Sequence, residues 1–130
     1  MSVTRRTVLQ GAALAALVSQ VPVTRAFAQD KVIRFAMPQD FTRIYTFVTS
    51  EYSQGQRDYI SLVNGRGGIN GYTILADVSD HGNDMPRAIE AYERAKAEGA
   101  VLIDPLSTPV ARALVPRVLE DKINLITAFS

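Results

Sequence analysis

The chain has no cysteine, no tryptophan and a single histidine among its 130 residues. Without cysteine it can form neither a disulfide nor a thiolate metal site. One histidine, His81, cannot build a histidine-cluster metal centre, so neither a metal nor another cofactor is expected. Basic residues are not in surplus: 14 Lys and Arg face 13 Asp and Glu. Arg5, Arg6 and Arg25 all lie within the first 28 positions, which leaves the remainder slightly acidic. No basic patch is left to recruit nucleic acid. No G-x-S-x-G surrounds any serine, which argues against a hydrolase nucleophile. The glycines of Asn64-Gly65-Arg66-Gly67-Gly68-Ile69-Asn70-Gly71 follow a helical pattern and precede a strand. A dinucleotide fingerprint needs the reverse order.

The content that remains, 47% hydrophobic and 21% charged, is that of a soluble globular protein. The first 28 residues read as an export signal. Thr4-Arg5-Arg6-Thr7-Val8-Leu9-Gln10 leads into the apolar run Gly11 to Val18, too short to cross a bilayer. Ala26-Phe27-Ala28 supplies a small-residue cleavage site. The paired arginines resemble a twin-arginine export signal; Val8 and Gln10 stand where Phe and Lys are usual, which leaves the ordinary secretory route as the alternative. The mature protein then begins near Gln29 and works outside the cytoplasm with no membrane span, and residues 29–130 are expected to be a truncated product or a fragment of it. That stretch is long enough for one small domain.

Strand and helix patterns alternate from there. Lys31 to Met37 is rich in Val, Ile and Phe and predicts a strand. After a loop from Pro38 to Arg43, apolar residues recur at helical steps: Ile44, Phe47, Val48, Tyr52, Gly55, Tyr59, Leu62 and Val63. This predicts a long helix with that stripe inward, in which Gly55 marks either close packing on the sheet or a tolerated glycine. Tyr72 to Ser79 predicts a second strand. Asp80 to Asp84 is a polar turn, and Asp80 with His81 is read as part of it rather than as an acid–base pair. Asn83 or Asp84 caps a helix from Met85 to Gly99 that buries Met85, Ala88, Ile89, Tyr92 and Ala95.

Ala100 to Ile103 is a short apolar run ended by Asp104-Pro105, as expected of a strand buried on both faces. Ser107 or Thr108 then caps a helix running from Pro109 to Asp121, with Val110, Ala113, Leu114, Val118 and Leu119 inward and Pro116 kinking it. Ile123 to Thr127 predicts a fourth strand. The order β-α-β-α-β-α-β implies an α/β fold, a parallel sheet with helices on both faces. In the common order 2-1-3-4 such sheets bind ligands beyond the carboxyl ends of strands one and three. Those ends are Pro38 to Arg43 and Asp104 to Pro109.

Taken together, these pieces resemble the type I periplasmic solute-binding proteins of ABC importers, the branched-chain amino acid group. The resemblance rests on Asn64-x-x-Gly67-Gly68-Ile69-Asn70-Gly71 after a long helix and on Gly55 within that helix. It rests also on the aspartate-rich segment Asp77 to Asp84, the alanine- and charge-rich helix Met85 to Gly99, and the strand, Ser-Thr loop and Pro116-bearing helix of Ala100 to Asp121. It implies that residues 29–130 are part of the N-terminal lobe of a two-lobed, hinged binding protein. The periplasm would be its location, an inner-membrane ABC permease its partner, and an amino acid or related carboxylate or amide its ligand. In the family's amino-acid binders, the Ser-Thr loop and the loop after the fourth strand hold the ligand carboxylate. Carried over, Ser107 and Thr108 are hydroxyl donors, and Thr127 to Ser130 begin the second loop. Phe41 stands in the first loop, where the family is usually glycine-rich. Such a protein performs no chemistry. An extracytoplasmic α/β enzyme and the ligand-sensing lobe of a receptor are the alternatives of the same architecture.

Overall fold

The computed structural model describes residues 31–128. The export signal expected over residues 1–28, and Ser130 of the expected site, lie outside them. The elements run β1 (Val32–Gln39), α1 (Thr46–Gly65), β2 (Thr73–Asp80), α2 (Met85–Ala97), β3 (Ala100–Ile103), α3 (Thr108–Asp121) and β4 (Asn124–Leu125). The strands form one parallel sheet in the order β2-β1-β3-β4. That is the architecture and strand order expected from the sequence. Among the described residues, no helix is long and apolar enough to cross a membrane.

β1 extends past Met37 because its pairing with β2 continues unbroken to Gln39 opposite Asp80. Pro38 is tolerated for a geometric reason. Gln39 accepts from His81 on the β2 side, and Ala36 accepts from Asp104 on the β3 side. Pro38 therefore faces β3, where pairing has already ended at Ala36 and Ile103. Its missing N–H costs no ladder bond.

The core lies between the sheet and the α2–α3 pair. Ala36, Ile103, Ala88, Tyr92, Ala95, Val110, Leu114 and Val118 are buried there. Each fully buried aliphatic side chain contributes about 1.5–3 kcal/mol of transfer free energy. A polar tie closes the far end of that pair. The Tyr92 hydroxyl donates to Asp121 Oδ2 at 2.6 Å, and Lys96 Nζ sits 2.9 Å from Asp121 Oδ1. Burial, and then the hydrogen bond to Asp121, push the Tyr92 hydroxyl pKa upward. The bonds from Tyr92 and Lys96 hold Asp121 below the usual carboxylate value.

Two helix faces differ from expectation. In α3, Ala113 is exposed and Leu119 is 74% exposed, while Ala111 takes an inward place. Part of the predicted stripe is left open to solvent: Phe47, Tyr59 and Leu62 of α1, and Ile44 just before it, are exposed, although Tyr59 shares a cavity with Phe35, Met37 and Leu102 of the sheet and Tyr52 reaches Asp104. Thr49 and Ser53 are the buried residues of α1. Gly55 packs against nothing, since a Cβ there would meet no atom within 4 Å. Thr49 and Gln56 turn inward because they find partners, whereas the buried Ser53 hydroxyl has none among the described residues. Thr49 Oγ1 donates at 2.7 Å to Asp40 O, and Gln56 reaches both Gln39 and Asp104. A buried polar group with partners is affordable, so the apolar period alone misplaces this face. β4 is shorter than its apolar pattern suggests. The helix α3 continues through Pro116 to Asp121.

The glycine-rich turn after α1 has a structural role. Gly68 is at φ +74°, and a Cβ on it would overlap Tyr72 O. Only glycine allows the Ile69–Tyr72 bridge that closes the turn. Asn64 uses its carboxamide as a substitute strand: Nδ2 donates to Ile74 O and Oδ1 accepts from Ile74 N, both at 2.8 Å. β2 is the edge strand, and this pairing blocks one stretch of its open ladder.

Candidate functional site

The winding reverses between β1 and β3, so the loops that follow them meet at the carboxyl edge of the sheet. Three βα loops build that edge: residues 40–45, 81–84 and 104–107. Each is organised by its own buried polar group.

In the first loop, Asp40 is fully buried and its carboxylate collects successive backbone N–H groups. Oδ1 accepts from Thr42 at 3.2 Å and Arg43 at 2.8 Å, and Oδ2 from Ile44 at 2.7 Å and Tyr45 at 3.0 Å. Burial alone would raise its pKa, but these backbone donors outweigh it and hold the carboxyl below its ordinary value. Asp80 completes the arrangement from β2. It accepts from Phe41 N, Gly82 N and the Thr42 hydroxyl. Burial opposes its ionisation too, yet those donors again lower its pKa. The N–H groups from Phe41 to Tyr45 are thus satisfied by the protein's own carboxylates. What this loop offers outward is side chains: half-buried Phe41, and exposed Arg43 and Ile44.

The second and third loops are tied together by His81. It is buried, with Nδ1 accepting from Asn83 N at 2.9 Å and Nε2 lying 2.9 Å from Pro105 O. An acceptor Nδ1 places the ring proton on Nε2, which donates to Pro105 O. Both nitrogens serve the loops, so His81 is a structural part of the turn rather than half of an acid–base pair, while Asp80, expected in that turn, is the last residue of β2. Asp104 anchors the third loop from below. Its Oδ2 accepts from Tyr52 at 2.9 Å and Gln56 at 2.6 Å, and its Oδ1 from Leu106 N at 3.2 Å. Burial, and then the Asp104 charge, push the Tyr52 hydroxyl up to about 12. Leu106 is fully buried at φ +41°, a conformation that costs a leucine about 1–3 kcal/mol. The bonds from Asp104 and His81 hold that strained loop in place.

Ser107 is the N-cap residue of α3 by backbone position, but its hydroxyl does not cap the helix. It is fully buried and donates to Asn83 Oδ1 at 2.6 Å. The sequence reading expected a hydroxyl capping free N–H groups; the cross-loop bond takes it instead. Thr108 follows as the first residue of α3, half-buried, and Thr127 is half-buried just past β4. The structure thus puts Phe41, Thr108 and Thr127 on the ends of β1, β3 and β4 at the sheet's carboxyl edge, with Ser107 beneath them. Sequence reasoning missed Asn83, Asp40 and Asp104 as organisers of this edge. A run of Asp at strand ends was visible, but their partners were not.

The sequence model of a family described as periplasmic binding protein matches residues 32–130. No curated protein matches the chain. Among solved structures, the chain resembles a fatty acid ABC transporter substrate-binding protein from Thermomonospora curvata, with 33% identity and a TM-score of 0.71. It covers 76% of this chain and 25% of that one. A branched-chain amino acid ABC transporter protein from Thermus thermophilus with bound valine has a TM-score of 0.70 at 18% identity, over 76% of this chain and 26% of that one. A branched-chain amino acid transporter substrate-binding protein from Streptococcus pneumoniae, in complex with isoleucine, has a TM-score of 0.67 at 16% identity, over 75% and 28%. The last two likenesses speak to fold alone. The chain therefore spans about a quarter of the length of these structures.

Proposed function

This chain belongs to the periplasmic binding protein family, and we propose that it forms one wall of the ligand cleft of an extracytoplasmic solute-binding component of an ABC importer. The observation that carries this reading is the family match across residues 32–130, which takes in all three loops of the carboxyl edge. The fold is that of the first lobe of type I periplasmic binding proteins. The role is binding without chemistry. The ligand would be an amino acid or another small carboxylate, the classes named for the neighbours with bound valine and isoleucine and for the fatty acid transporter protein. Phe41, Thr108 and Thr127 would line the wall, Ser107 would position Thr108 from below, and Ser130 would extend the loop after β4. Residues 1–28 would direct export by the twin-arginine route to the periplasm, where the protein would hand its solute to an inner-membrane permease.

A cleft wall without its opposite lobe buries little of a ligand. Binding is accordingly weak, in the millimolar range that needs only about 4 kcal/mol. A thermal melt of the chain with isoleucine, valine or octanoate tests this. At a ligand concentration equal to the dissociation constant the gain is about 0.4 kcal/mol. That raises Tm by about 2–3 °C for a domain of this size. One of the three is expected to produce that rise. No rise with any of them up to solubility would remove the solute-binding reading while leaving the fold intact.

A further inference from the structure

We propose that Arg43 and Arg87 form an oxyanion-binding site across Gly82, at the edge of the sheet formed by the loops after β1 and β2. The site is defined by one point in space. A Cβ built on Gly82 would lie 3.8 Å from Arg87 Nη1, 3.9 Å from Arg43 Cδ and 3.0 Å from Thr42 Oγ1. The Arg87 guanidinium and the stem of Arg43, from different loops, therefore approach the same glycine. Gly82 is at φ +54° and has no side chain to fill the floor between them.

Among the described residues, neither arginine has a carboxylate within ion-pair distance. Both are exposed, and among the described residues neither side chain makes a hydrogen bond or an ion pair. The nearby carboxylates are committed elsewhere. Asp40 holds the N–H groups of residues 42–45. Asp80 holds Phe41 N, Gly82 N and the Thr42 hydroxyl, and Asp84 caps α2 through Arg87 N. Arg43 precedes α1 by less than a turn, and Arg87 lies in the first turn of α2. A cation is unfavourable at a helix N-terminus and an anion is favourable there. An oxyanion bridging the two guanidiniums would satisfy the planar donors and relieve that repulsion. The three aspartates on the same loops temper the field, so the ligand must bridge both arginines rather than respond to net charge. Carboxylate and phosphate share the required chemistry.

The test is a titration of the full chain followed by ¹H–¹⁵N spectra that include arginine Nε–Hε signals. Sodium glutarate is added in one arm and inorganic phosphate in the other, each against sodium chloride of equal ionic strength. The expected result is a saturating shift of the Gly82 amide and of both arginine Nε–Hε signals in at least one arm; the stronger arm identifies the oxyanion. Arg43→Gln and Arg87→Gln should each weaken binding about three- to fivefold, the range of an exposed ion pair. Arg112→Gln, an exposed charge on α3, should leave it unchanged. The proposal is overturned by shifts that merely follow ionic strength, by binding that survives either site substitution, or by an equal loss in Arg112→Gln. The amides of Thr108 and Thr127 report separately on the solute cleft.

Discussion

Replacing Asp40 by asparagine isolates what one buried carboxylate does for the first loop. In the native chain Oδ1 takes the N–H groups of Thr42 and Arg43, and Oδ2 those of Ile44 and Tyr45. Asparagine keeps the shape and one acceptor oxygen. Its NH₂ group then faces two backbone donors that have lost their partner. Each buried donor left unpaired costs about 1–3 kcal/mol. The loop is partly open to water, so the pair should cost about 2–4 kcal/mol, toward the low end for each donor. Urea unfolding measures this directly. With an m of about 1.5 kcal/mol/M, the midpoint should fall by about 1.3–2.7 M at unchanged m. Acid provides a second readout. Asp40 has a folded pKa below its unfolded value of 3.8, so the unfolded chain binds more protons between the two. The stabilisation is complete above the unfolded value and is lost as pH falls through the folded one. The variant should lack that part of the acid lability. A loss under about 0.5 kcal/mol, the size of an ordinary surface change, would refute the reasoning.

Leu114→Ala and Leu119→Ala separate the two faces of α3: the first, fully buried, should cost about 3 kcal/mol, and the second, 74% exposed, under about 0.5 kcal/mol in the same urea assay. Phenolate absorbance should show Tyr52 titrating near pH 12, and Tyr52→Phe should remove that step. Because its folded pKa is raised, the stability it contributes is whole below pH 10 and is lost as pH rises toward about 12. His81→Ala removes both ring contacts that join the second and third loops; it should destabilise the chain by about 2–4 kcal/mol and shift the Leu106 amide resonance.

The sheet was legible because its signals are local and mutually consistent. Ala100 to Ile103 is an apolar run stopped by Asp-Pro, and β3 has those bounds, but it is not buried on both faces as expected, since Val101 is exposed and Leu102 only half-buried. Alternating strands and helices, with right-handed crossovers, leave few topologies open, and the observed order is among them. Asp84 was readable as a cap, and it does accept from Arg87 N. The face of α1 was not legible. Its inward residues include Ser53, whose hydroxyl has no partner among the described residues, and Thr49 and Gln56, whose acceptability depends on Asp40, Gln39 and Asp104 outside the helix. Periodicity weighs apolar residues and cannot see such partners. The site divides the same way. The loops that meet were predictable from winding, and Phe41, Thr108 and Thr127 lie on them. The fate of the Ser107 hydroxyl was not, because it turns on Asn83, which lies 24 residues earlier. The left-handed conformation of Leu106 likewise has no sequence signature.

The three loops form a rigid edge in which buried Asp and His side chains occupy the backbone donors that a bare loop would offer a ligand. Recognition at this edge falls to the side chains left outside it. The most direct test maps amide shifts of the chain on titration with isoleucine, valine or octanoate. Saturating shifts should cluster at Phe41, Ile126, Thr127 and Thr108, while Val32, Thr73 and Ala100 at the opposite ends of the strands stay still. Shifts centred on those opposite ends, or on the exposed stripe of α1, would contradict the placement of the cleft wall at the carboxyl edge.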